Sequence, residues 1–238
     1  MHASRVKYIE LRPEEFRARL KQKPVAYLPL GTLEWHGEHL PLGADAIQSE
    51  ALMIECARQF GGIVLPPLFL GPDRRTDSED GTYLIGMDYA KSTSPNQQLT
   101  GSCYWVSYEF FKLLLENILE QLKRAGFKAV FADGHGPSRR TWTEMIPAWE
   151  EKYGMKLIGI TDPIKAEWNY MNDHAAKNET SITMFVQPEL VNISVFTQGE
   201  NSPLVGVNGE HPFLATSEYG KELFAKEMET LKPWIAAV

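Results

Sequence analysis

Residues 24–31, PVAYLPLG, form an unbroken apolar run closed off by proline and glycine. A run this short and this uniformly apolar fits a strand buried on both faces. From Ala46 the sequence AIQSEALMIECARQFGG places apolar residues at helical spacing and stops at a glycine pair, a common helix terminator. The same alternation recurs to the end of the chain. IVLPPLFLG, KAVFADGHG and MKLIGITD read as further strands. YWVSYEFFKLLLENILEQLKRAG, RRTWTEMIPAWEEKYG, the start of NETSITMFVQPELV and TSEYGKELFAKEMETLKPWI read as helices. The last has Thr216 or Ser217 as its N-cap. Strands alternating with helices predict an α/β fold: one domain over residues 1–238, with a central, mostly parallel sheet flanked by helices. In such sheets ligands bind beyond the carboxyl ends of the strands. Glu34, His36 and His135 fall there.

Charge and composition narrow the partners. With 24 basic and 31 acidic residues the net charge is −7, which favours solubility and gives no reason to expect nucleic-acid binding. Arg139-Arg140 remains a candidate local basic pocket. No stretch approaches the roughly 20 apolar residues needed to span a bilayer. The charged N-terminus lacks the apolar segment of a signal peptide. Cys56 and Cys103 form no spaced framework, which fits a reduced, cytoplasmic compartment. Residues 71–102 are polar and rich in turn formers, and loops of that length are often functional.

The segment LEWHGEHLPLGAD (residues 33–45) holds two of the six histidines beside three acids. Glu34 and His36 stand two apart after a strand, so both side chains project to one side of an extended segment. A carboxylate and an imidazole suit Zn²⁺, Mn²⁺ or Fe²⁺; a hydrogen-bonded histidine in a polar loop is the plainer alternative. The segment is not a zincin helix, because Gly37 stands where that motif needs glutamate. Asp45 precedes a helical pattern with Gln48 three residues on, a capping-box arrangement. On spacing alone the cap is the preferred reading.

FADGHGPSRR (residues 131–140) has the order strand, Gly134-x-Gly136, helix. A dinucleotide fingerprint needs a third glycine, and Arg139 occupies its place. A nucleotide-binding oxidoreductase is therefore a weak alternative, with Asp162 as a ribose-binding acid. The metal reading makes His135 a ligand at a strand end. DHAAKNETSITM adds His174 and Glu179, and Glu179 in a helix's first turn also suits the helix dipole. Trp168 and Tyr170 upstream fit core positions better than a lid. No Gly-x-Ser-x-Gly elbow exists and neither cysteine has a histidine near it in sequence, so a nucleophilic side chain is poorly supported. A third reading is a non-catalytic protein that binds a small molecule.

Four stretches, LPLGTLEWHGEHLPLGAD, DGHGPSRR, HAAKNETS and GEHPFLATSEYGKE, together resemble the creatininase (creatinine amidohydrolase) family, in that family's order. The resemblance implies an α/β domain assembled as a homohexamer, a small-molecule substrate, and two divalent metal ions per chain (Zn, Mn or Fe). Glu34, His36, Asp45 and His135 match metal-binding positions, with Asp45 as the bridge. Creatininase has a metal-binding glutamate two residues after the histidine matching His135; here that place is Pro137. Glu179 is the candidate replacement. His174 matches the histidine proposed to shuttle protons. The family's stretch ending near FPGT is replaced by DGTYLIGMDY (residues 80–89). That loop shapes the substrate pocket, with Tyr83 as a candidate substrate contact; Trp168, outside the loop, is the other. The resemblance implies hydrolysis of a small cyclic amide or related ring, with sugar- or inositol-derived rings and formamides as further candidates.

Overall fold

The computed structural model describes residues 5–77, 79–88, 99–161, 164 and 173–238. Its centre is a four-stranded parallel sheet in the order β2-β1-β5-β6, built from Val25–Leu30 (β1), Ile63–Val64 (β2), Ala129–Gly134 (β5) and Lys156–Gly159 (β6). Every residue of β1 is buried, as a central parallel strand requires when both faces are covered. Val25 and Tyr27 join Phe131, Ile158 and the helices Ala44–Phe60 (α2), Lys177–Val186 (α5) and Ser217–Ala236 (α6) in one core. Ala26, Leu28 and Leu30 face the opposite core with Val130, Leu157 and the helices Tyr108–Ala125 (α3) and Gly136–Tyr153 (α4). The period-two alternation of side chains thus divides one continuous apolar run between two cores.

The topology fixes where a ligand belongs. From β1 the chain passes through α2 to β2 on one side, whereas β5 pairs with the other side of β1. The carboxyl ends of β1 and β5 therefore flank the crevice where strand order reverses, the usual ligand position in such sheets.

Some elements differ from the sequence reading. The second strand stops after Val64, because Pro66 and Pro67 cannot donate to the ladder. Beyond Leu65, whose N–H still donates to the Tyr27 carbonyl, an isolated bridge of Leu30 with Leu68 resumes the pairing. The polar stretch 71–102 contains an antiparallel hairpin, Arg75–Asp77 (β3) with Tyr83–Ile85 (β4). The helix Pro13–Gln22 (α1) went unread because none of its residues is fully buried and its apolar pattern is sparse. Ser107 and Thr216 cap α3 and α6 by accepting from Phe110 and Tyr219 backbone N–H groups. No helix among the described residues is long and apolar enough to cross a membrane.

Candidate metal centre

Each element delivers its side chain to one place. Residues 31–43 leave β1 and carry Glu34 and His36, and His135 follows β5 directly. Asp45 and Glu179 sit in the first turns of α2 and α5. Gly134 makes the last step possible. Its φ of 141° and the overlap that a Cβ would make with the Leu30 carbonyl oxygen admit only glycine. His135 N–H then donates to that same oxygen at 2.7 Å. Gly136 has open space around it. Gly134 is thus explained by strand packing without a phosphate cradle.

His36 and His135 are the hubs. His36 is fully buried. Its Nδ1–H donates to the Glu34 carbonyl at 3.0 Å, which leaves Nε2 facing Asp45 Oδ1 at 3.6 Å and Glu179 Oε2 at 4.0 Å. Among the described residues no hydrogen bond reaches that nitrogen. His135 Nδ1 lies 3.2 Å from both Glu34 Oε2 and Asp45 Oδ2. Its Nε2 lies 3.3 Å from Asp73 Oδ2 and 3.2 Å from the Pro72 carbonyl. Asp45 therefore turns one oxygen to each histidine.

Three sets of donors lie within 4.8 Å of one another: Glu34, Asp73 and His135; His36, Asp45 and Glu179; Glu34, His36 and His174. Without cations the groups compensate each other. Burial opposes ionisation of Glu34, but His135 outweighs it and holds the carboxyl at about 2. Burial likewise opposes charge on His36, yet Asp45, Glu179 and Glu34 raise it to about 10. His135 is raised well above its usual value by Asp45, Asp73 and Glu34 against its burial. Burial raises Glu179 to about 7, and burial with the nearby Glu179 does the same to Asp173. A buried cluster of this kind calls for cations, and protons fill that role in their absence.

Asp45 is not the helix cap. Gly43 holds that position with no side-chain bond, and α2 begins at Ala44. Gln48 does not complete a capping box, since its amide donates to the Glu179 carbonyl and Thr183 Oγ1. Two buried imidazoles draw the carboxylate inward, where it still benefits from the helix dipole.

His174 lies against His36, with ring centroids 4.4 Å apart, and its Nε2–H donates to the Trp35 carbonyl at 2.8 Å. Nδ1 is left as the acceptor. Burial, then the adjacent His36, lowers its pKa. The other acids and histidine near these motifs are otherwise engaged. Glu38 is exposed, His39 bonds Thr180, and Asp133 accepts from Thr161.

The centre opens into a cavity of about 370 Å³ lined by Glu34, Asp45, Asp73, His135, His174 and Glu179. Arg74, Arg140 and Asn208 line it too. Tyr83 does not line it; its ring lies 4.1 Å from the Arg75 guanidinium and faces Trp105. The β3–β4 hairpin turns that side chain outward, and Gly86 and Met87 take the cavity wall instead. Trp168 lies outside the described residues. Sequence reasoning missed Asp73, although GPDRR follows an apolar run inside the loop singled out as functional. Its link to His135 is a long-range contact with no local spacing to betray it.

The family model described as creatinine amidohydrolase matches residues 10–233. A mycofactocin precursor peptide peptidase from Mycobacterium ulcerans is 23% identical over 237 residues, which is 87% of this chain and 82% of that protein. A creatinine amidohydrolase from Pseudomonas putida is 24% identical over 207 residues, 77% of this chain and 73% of that protein. A Mn form of creatininase superposes with a TM-score of 0.71 at 18% identity, covering 97% of both chains. A Zn–Zn form of a creatininase mutant gives 0.72 at 18% identity, covering 98% of both. The chain belongs to the creatininase family.

Proposed function

We propose that this chain is a metal-dependent hydrolase that opens a small cyclic amide or related ring, using two divalent ions held by Glu34, His36, Asp45, His135 and Glu179. One observation carries the reading. His36 Nε2 is wholly buried, without a hydrogen bond, and aimed between two carboxylates. A nitrogen so placed lacks only a ligand partner, and the mixed N/O donor set suits Zn²⁺, Mn²⁺ or Fe²⁺. The Mn and Zn–Zn forms of solved relatives support the same ions. Asp45, with one oxygen toward each histidine, is placed to serve both positions.

A divalent pair, when bound, supplies Lewis acidity that lowers the pKa of water and polarises a carbonyl. The chain supplies the rest. His174 is fixed by the Trp35 carbonyl with Nδ1 free, and its lowered pKa keeps it neutral at pH 7. It accepts a proton from the attacking water at Nδ1 and returns it to the leaving nitrogen or oxygen. Glu34 and His135 are themselves buried at the base of the site.

Sugar- or inositol-derived rings and formamides present the same electrophilic carbonyl, and the peptidase relative extends the class to linear amides. The test is turnover by chelated protein reconstituted with Zn²⁺ or Mn²⁺, on ring amides, lactones, formamides and dipeptides. Hydrolysis restored only by metal supports the reading. Absence of turnover across all four classes with both metals bound overturns it.

A further inference from the structure

We infer that the substrate carries an anionic group, a carboxylate or a phosphate, and that Arg140 with Arg74 recognises it at the wall of the cavity. The inference rests on the hydrolase reading of that site. Its starting point is an arginine without a counter-charge. The cavity is lined by five carboxylates, those of Glu34, Asp45, Asp73, Asp173 and Glu179. Arg140 lines the same cavity, yet no hydrogen bond or ion pair to it occurs among the described residues. Arg74 spends one guanidinium N–H on the Gly86 carbonyl at 3.3 Å and its side chain pairs with no carboxylate among the described residues. Each guanidinium keeps most of its five donors, whose planar fork fits a carboxylate or phosphate. Arg139 differs, being drawn toward Asp133 at 3.9 Å and Thr161 at 3.5 Å.

Arg140 lies just past the first turn of α4, a turn that holds no acid to pair with it. The chain as a whole carries −7, so long-range attraction does not bring an anion in; local arginines must. Ions loaded among the carboxylates would remove the cavity's own negative charge and leave the two arginines as the groups selecting for charge. A neutral ring would leave both without a partner.

The experiment is calorimetric binding to the metal-loaded full chain, with paired anionic and neutral probes. N-acetylglycine is compared with N-acetylglycinamide, and N-acetyl-O-phosphoethanolamine with N-acetylethanolamine. Arg140→Gln and Arg74→Gln are each expected to weaken the anionic probe by about 10- to 100-fold, as loss of a charge-assisted hydrogen bond should. Arg124→Gln, exposed at the far end of α3, makes the same change in net charge and should leave affinity intact. The anionic probe that binds more tightly identifies carboxylate or phosphate as the recognised group. Equal affinity for charged and neutral probes overturns the inference. So does anion binding that survives both substitutions, since the anion then sits on the ions alone. Binding is read without turnover, so an inactive protein would sink the hydrolase reading while leaving this result separate.

Discussion

His36 Nε2, itself wholly buried, and Asp45 Oδ1 stand 3.6 Å apart with no hydrogen bond closing the gap. That separation is too long for direct bonding and wide enough for a shared cation. Asp45 reaches His135 with its other oxygen, so the two donor groups meet in one carboxylate. The expected consequences of substitution differ for each neighbour of this pair.

Glu179 and Asp73 should separate the two positions. Glu179 belongs with His36 and Asp45, whereas Asp73 belongs with Glu34 and His135. Glu179→Gln should empty one site and spare the other, because a neutral amide is a poor ligand for these ions. Asp73→Asn should weaken the other site by about 10- to 100-fold, as loss of a histidine's orienting partner does. Metal stoichiometry and competition titrations read both. Equal effects of the two substitutions on both ions would contradict the division.

His174 is close enough to Glu34 and His36 to be counted as a possible ligand. Its bond to the Trp35 carbonyl and its lowered pKa fit proton transfer instead. His174→Ala should keep both ions and lose about 10²- to 10⁴-fold in kcat, the usual worth of a positioned acid–base group. Loss of an ion in this variant would make it a ligand.

Metal binding should release protons. His36 sits at about 10 and Glu179 at about 7 in the metal-free chain, and both must lose protons to coordinate. Metal affinity should therefore rise with pH through 7 toward 10. The stability of chelated protein runs the opposite way. Groups whose folded pKa is raised contribute stability below their unfolded values and lose it as pH climbs through the folded ones. For Glu179 that window runs from about 4.5 to about 7, and for His36 from 6.5 to about 10. Melting temperatures of chelated protein should fall between pH 6 and 10, with loaded protein falling less. Parallel profiles would contradict the linkage.

The glycines of FADGHG make a separate prediction about stability. Gly134→Ala forces a Cβ into the Leu30 carbonyl at a φ of 141°, and should cost about 3 kcal/mol or more. Gly136→Ala meets nothing within 4 Å and should be neutral or slightly stabilising. Denaturant unfolding of chelated protein measures both. A mild Gly134→Ala would remove the packing explanation and reopen a ligand-binding one.

The parts legible in the sequence were those with local signatures. β1 and β5 were readable because a strand buried on both faces leaves a continuous apolar run. Ser107 and Thr216 cap within three residues of their partners, so Thr216 could be named in advance. Asp45 misled for the same reason: its spacing to Gln48 imitates a capping box, while its real partners, His36 and His135, come from other segments. Asp73 left no local trace, because its role depends on a partner beyond another strand. Tyr83 faces away from the cavity that Gly86 and Met87 line, since the β3–β4 pairing that turns it outward has only three residues per strand and leaves little trace in the sequence.

The proposed sharing of Asp45 between two ions is tested most directly by metal content after substitution to asparagine. Gly43, not Asp45, holds the cap position, so Asp45→Asn removes from the helix only a dipole contribution of about 0.3–1 kcal/mol. Chelated variant and chelated wild type should show the same circular dichroism. Elemental analysis after reconstitution should give two ions per wild-type chain and fewer than one in Asp45→Asn. Two ions retained in the variant would mean that Asp45 bridges nothing.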